Sequence, residues 1–162
     1  MRNSEKLAGR VKLGWIALVL LVIISCKYVS DNWFQLMLIQ GNSMAPSYHS
    51  MQLVVLDKRE CAYGPGDVVA FRCESLGSVL VKRIAAGPGQ VAVIQDGKLL
   101  VDGQETPAYG ETVFSYAGIL SKAVVLSAGE YIVIGDNVEE SRDSRFEQVG
   151  VVGAESILGK VL

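Results

Sequence analysis

The 162-residue chain carries 15 basic and 17 acidic residues, and half of it is hydrophobic. Its mean hydropathy of +0.32 is high for a purely soluble domain, and its length suits one domain plus a tether. Five of the 15 basic residues and one of the 17 acidic ones fall in residues 1–30, a net of +4. The remaining 10 basic and 16 acidic residues leave net −6, which argues against a nucleic-acid partner, since that needs a basic patch.

Residues 1–12 set Arg2, Lys6, Arg10 and Lys12 against Glu5 alone. The uncharged run "LGWIALVLLVIISC", residues 13–26, follows, bracketed by Lys12 and Lys27. It is a little short of the roughly 20 residues of a membrane span. The lysines can snorkel, however, and Tyr28 and Trp33 suit an interface. The expectation is a cytoplasmic tail over 1–12, a transmembrane anchor over 13–30 and an extracytoplasmic β-rich domain over 31–162. Positive flanks stay inside, so this is a single-pass protein of the cytoplasmic (inner) membrane with its N-terminus in the cytoplasm and the lipid bilayer as a partner. A cleaved export signal and lipidation at Cys26 are the alternatives, and both also export the domain.

Short β-branched runs bounded by turns follow: residues 53–57, 67–72, 79–86, 91–95, 98–101, 122–126 and 131–135. Asp96-Gly97 between apolar runs is a hairpin signal. No long segment after residue 35 has a helical period. The expected fold class is mostly β, a compact antiparallel sheet that is curled or barrel-like, with one N-terminal transmembrane helix. Residues 104–121 are the least patterned part and read as a long loop or weak hairpin. Cys61 and Cys73 could pair in an oxidising compartment or stay unpaired. His49 is the sole histidine, and no Cys/His spacing indicates a metal site, so neither metal nor cofactor is expected.

"GNSMAPS", residues 41–47, poses the chemical question. A serine hydroxyl is a poor nucleophile without a base within hydrogen-bond reach. His49 stands in the polar stretch "SYHSMQ" and reads as a solvated loop residue. A lysine serves as base only if desolvation keeps its amine neutral. "SVLVKRIAA" supplies a lysine in an apolar setting. On a strand, Leu80, Lys82 and Ile84 share one face, and Val81, Arg83 and Ala85 the other. Periodicity leaves open which basic residue points inward, and an edge-strand lysine is the plain alternative.

"GNSMAPS" resembles the nucleophile box of type I signal peptidases. "GDVVAF", "VKRIAAGPG" and "GDNVEESRDSR" resemble that family's next boxes, in the same order, over roughly residues 12–162. The resemblance implies a Ser–Lys dyad: Ser43 as nucleophile, Lys82 as general base and the Ser43 backbone N–H as oxyanion donor. Ser141 would orient the lysine, and Asp143 and Arg145 would form a structural salt bridge. Gly41 stands where some members carry an extra oxyanion hydroxyl. The implied substrates are preproteins whose signal peptides end in small residues of A-x-A type. They would bind as an added strand, with Ile39, Gln40, Met44 and Leu80 lining shallow pockets. Met51-Gln52 departs from the family's Gly-Asp, Gln90 from its Asp, and the proline common after "DSR" is absent; these touch turns. A peptidase dedicated to one secretion or conjugation system and an inactive anchored β-module that binds a partner are the alternatives.

Overall fold

The protein is described by a computed structural model covering residues 2–59 and 62–162, with residues 2–13 and 31 given as backbone alone. Helix α1 spans Arg2–Asn32. Leu, Ala, Val and Ile dominate its middle, and Asn32 Nδ2 donates to Tyr28 O at 2.8 Å, taking up one of the carbonyls left open at the helix end. Trp15, Ile16 and residues 18–24 are exposed. Among the described residues no helix is long and apolar enough to cross a membrane.

The strands are β1 (Phe34–Leu38), β2 (Leu53–Asp57), β3 (Val68–Cys73), β4 (Ser78–Ala86), β5 (Val91–Gln95), β6 (Lys98–Val101), β7 (Gln104–Glu105), β8 (Val124–Val125), β9 (Glu130–Ile134), β10 (Val152–Gly153) and β11 (Ile157–Val161). The seven expected runs form strands, although residues 122–126 shrink to the two of β8. Strands β1, β7, β10 and β11 lie outside those runs. Segment 104–121, expected as a long loop or weak hairpin, opens with β7, which pairs antiparallel with β6, and then holds two 3₁₀ turns, Pro107–Tyr109 and Gly118–Ser121.

One sheet has the order β1-β2-β11-β3-β4-β9-β10 and the other β7-β6-β5-β8. The pairings β1–β2, β2–β11, β11–β3 and β3–β4 are all antiparallel, so β1 and β4 run in the same sense. Three strands separate them in the sheet, yet Met37 and Leu38 of β1 line one cavity with residues 78–82 of β4. The sheet is therefore curled. One apolar cluster, with Ala92, Ile94, Leu120, Ile132 and Ile134, joins the two sheets. A second packs Ile39, Met44 and Leu56 beneath β1 and β2. A third packs Phe71, Ile84 and Val133 on the other face. Each fully buried aliphatic or aromatic side chain contributes roughly 1.5–3 kcal/mol over its exposed state.

Two of the turn departures have a structural reading. Gln90 Oε1 accepts from Gly87 N–H at 2.9 Å and its Nε2 donates to Asp102 at 3.1 Å, so the amide holds its own turn. Met51 occupies φ +65°, a conformation that favours glycine, and its side chain is exposed. Met51→Gly should therefore raise stability by roughly 1 kcal/mol, because the left-handed conformation costs a Cβ-bearing residue about that much. Thermal melts of the two proteins check this, and a lower melting temperature for the glycine variant would refute it. Cys61 lies outside the described residues; Cys73 is a buried free cysteine.

Candidate active site

Strand β4 places Lys82 opposite Val69 of β3, and its side chain is only 3% exposed. The question left by periodicity is thereby answered: Lys82 points inward. Its Nζ lies 2.6 Å from Ser43 Oγ and donates to Val81 O at 3.0 Å. Burial holds this amine down to about 8, against the opposing pull of the Asp143 and Asp136 carboxylates.

Ser43 sits in a turn after β1, half-buried, with Met44 buried beside it. Ala45 N–H donates to Asn42 O at 3.0 Å, and Ala45–Pro46 is a cis peptide. The turn is closed by two reciprocal bonds, Ile39 N–H to Gln52 O at 2.9 Å and Met51 N–H to Ile39 O at 2.8 Å. Ser50 Oγ accepts from Gly41 N–H at 3.2 Å. His49 is exposed, and its backbone N–H donates to Gln52 Oε1 at 3.0 Å.

The third component is the loop after β9. Asn137 N–H donates to Ser43 O at 3.0 Å, which ties the nucleophile turn to this loop. Gly135 makes the approach possible: a Cβ there would lie 2.4 Å from Ser43 O and 2.3 Å from Ser141 Oγ. Ser141 Oγ is buried and has no hydrogen-bond partner among the described residues, so the expected Ser141–Lys82 hydrogen bond is not formed. Asp143 and Arg145 do pair. Arg145 Nε and Nη2 donate to the two Asp143 oxygens at 2.8 and 3.0 Å, and both residues are at most 2% exposed. Asp143 also accepts from Gly135 N–H at 3.2 Å, so the pair braces the glycine that faces Ser43.

Sequence reasoning missed two supports. Arg83, beside the lysine, forms a two-toothed ion pair with Asp136 at 2.8 and 2.6 Å and donates to Gly66 O at 2.7 Å. That pair locks β4 to the turn after β9 and raises the Arg83 pKa further. The signal was the basic residue on the strand face opposite Lys82. The second support is the unpatterned segment 104–121. Tyr109 OH donates to Ile134 O at 3.1 Å, directly before Gly135. Gly118 packs against the Arg145 backbone so closely that a Cβ would lie 1.8 Å from Arg145 O. Phe114 and Phe146 stack near the Arg145 guanidinium, at 5.5 and 5.8 Å. Apart from Phe146, which follows Arg145 directly, these partners are far apart in sequence, so no local pattern betrays them.

Next to the serine and lysine lies a cavity of about 310 Å³. Ile39, Gln40, Met44 and Leu80 all line it, together with Met37 and Val81. A curled antiparallel sheet that holds a serine hydroxyl against a desolvated amine defines a β-structured serine hydrolase. Residues 12–162 match the family "Signal peptidase, peptidase S26", and the chain belongs to it. It is a serine peptidase. Signal peptidase I T of Bacillus subtilis is 25% identical, with 97% of this chain and 88% of that protein aligned. A probable signal peptidase I-1 of a Synechocystis species is 28% identical over 76% of this chain and 67% of its own length. A crystal structure of a signal peptidase I from Enterococcus faecalis aligns with 63% of this chain and 97% of that one, at 24% identity and a TM-score of 0.49.

Proposed function

We propose that the chain is a membrane-anchored endopeptidase that removes signal peptides from exported preproteins after small residues, with Ser43 as nucleophile and Lys82 as general base. The observation that carries this reading is the 2.6 Å contact between Ser43 Oγ and the buried Lys82 Nζ. A neutral amine has one lone pair. With one N–H engaged by Val81 O, the lone pair is free to face the serine hydroxyl. Lys82 takes the Ser43 proton as Oγ attacks the scissile carbonyl, and the Ser43 N–H receives the developing oxyanion. The ammonium then gives its proton to the departing amine, leaving a Ser43 ester. Lys82 next deprotonates a water that attacks this ester; the C–Oγ bond breaks, the Lys82 ammonium returns its proton to Ser43 Oγ, and the carboxylate product leaves. Ser141, with its free buried hydroxyl, is assigned the role of holding the amine once substrate closes the site. Gly41 has no hydroxyl to offer as a second oxyanion donor.

The peptide would lie extended between residues 37–40 and 78–82, which line the cavity beside Ser43 and Lys82. Residues 13–30 serve as the anchor, with 1–12 in the cytoplasm and 31–162 outside. The exposed apolar shell of residues 15–24 supports this, since such a surface is stable only when covered.

The test is cleavage of a purified preprotein across pH. Below about 8 the amine is mostly protonated and cannot accept a proton, so the rate should rise about tenfold per unit from pH 6 to pH 7 and level off above 8. A rate independent of pH from 6 to 9 would rule out Lys82 as the base. Replacing the small residue before the cut with phenylalanine should prevent cleavage.

A further inference from the structure

A second cavity exceeds the one at Ser43 in size. It is a groove of about 640 Å³ where the last turns of α1 meet β1 and β2. Cys26, Val29, Phe34, Leu36 and Val55 line it together with the polar Ser25, Ser30 and Gln35, and among the described residues none of its lining is charged. Its volume falls within the roughly 300–1,000 Å³ typical of ligand sites. Leu36 pairs with Val55 across the strands and is 65% exposed. Outward positions of an antiparallel sheet are ordinarily polar; here the Arg59 guanidinium covers the Phe34 ring at 4.7 Å, and Leu36 and Leu38 stay exposed.

Strand alternation puts Phe34, Leu36 and Leu38 in one row. The row begins in the groove and ends at Leu38, which lines the cavity beside Ser43. Groove and catalytic cavity are thus two ends of one apolar track. Leu36 lies seven positions before Ser43, at most roughly 23 Å of extended chain.

We infer that the groove receives the apolar segment that precedes the cut bond of a signal peptide; this rests on the Ser43–Lys82 reading above. A signal peptide presents an apolar run of roughly 7–15 residues and then a small-residue cleavage site. Laid along β1, that order matches groove, track and nucleophile. The groove therefore selects substrates by their apolar run, separately from the pockets that read the small residues.

The experiment uses the full chain in detergent micelles and two substrates: a preprotein, and a short peptide that spans the same cut but lacks the apolar run. The double variant Val29→Gln, Leu36→Gln should lower kcat/KM on the preprotein about tenfold, through KM, and leave the short peptide unaffected. An equal fall on both substrates, or none on the preprotein, overturns the proposal. Cys26 is exposed and provides a readout that does not depend on turnover. In Ser43→Ala protein, a preprotein with one cysteine in its apolar run should form a disulfide with Cys26 on oxidation. Adding Cys26→Ser, or moving the substrate cysteine into the mature part, should abolish it. A groove that holds only lipid or detergent gives no such cross-link, which also overturns the proposal. The Ser43–Lys82 reading fails separately, if Ser43→Ala still cuts the short peptide.

Discussion

Lys82→Met should reduce preprotein cleavage by roughly 10⁴-fold or more while leaving the protein folded. Methionine fills most of the space of the lysine stem and removes only the amine. Lys82 is 3% exposed, and among the described residues its Nζ has only Ser43 Oγ and Val81 O as hydrogen-bond partners. Its loss leaves no buried opposite charge stranded at hydrogen-bond distance, so stability should hold or rise slightly. The sign follows from the lowered amine pKa. Between about 8 and the ordinary 10.5 the unfolded chain binds the proton more readily than the folded one. Wild-type stability therefore rises with pH across that window, and the methionine variant should lack this rise. Ser43→Ala should cost about as much activity, and the double variant no more than either, because the two groups act as one unit. Single-turnover cleavage and melts at pH 7 and 10 measure both effects. A methionine variant that retained a tenth of wild-type activity would show that another group serves as base.

Arg145→Ala should destabilise the domain by roughly 3–5 kcal/mol, which lowers the melting temperature by about 10 °C or more. Asp143 is fully buried, and Arg145 supplies its two side-chain hydrogen bonds. Truncation leaves a buried carboxylate facing only the N–H groups of Gly135 and residue 145. It also frees the carbonyl of Val138, which now accepts from Arg145 Nη2 at 2.7 Å. Lysine should not rescue the loss, since a single ammonium cannot reproduce the planar fork that meets Asp143 and Val138 together. The loosened Gly135 turn faces Ser43 O, so kcat should fall more than KM rises. Thermal melts and steady-state kinetics read the two consequences. A melting temperature within 2 °C of wild type, a span that corresponds to less than about 1 kcal/mol, would mean that the pair is structurally dispensable.

Much of this protein was legible in its sequence because the relevant physics is local. Alternating β-branched runs and glycine turns mark seven of the strands, and the apolar run after Lys12 marks the helix. The ordered boxes point to Ser43, Lys82, Ser141, Asp143 and Arg145 only through their resemblance to a known family; local physics by itself left the base of Ser43 open. Other features depend on what arrives from elsewhere. Strand β1 carries apolar residues at four of its five positions, so no alternation reveals it, and pairing with β2 defines it. Residues 104–121 show no period because their order comes from partners such as Ile134 and Arg145. The inward turn of Lys82 over Arg83 was decided only by the tertiary structure. Both faces of β4 are apolar in sequence, and only the curl of the sheet brings Ser43 to one face and Asp136 to the other. Composition could place a lysine among apolar neighbours, but it took the folded core to strip that lysine of water and hold it 2.6 Å from a serine 39 residues away.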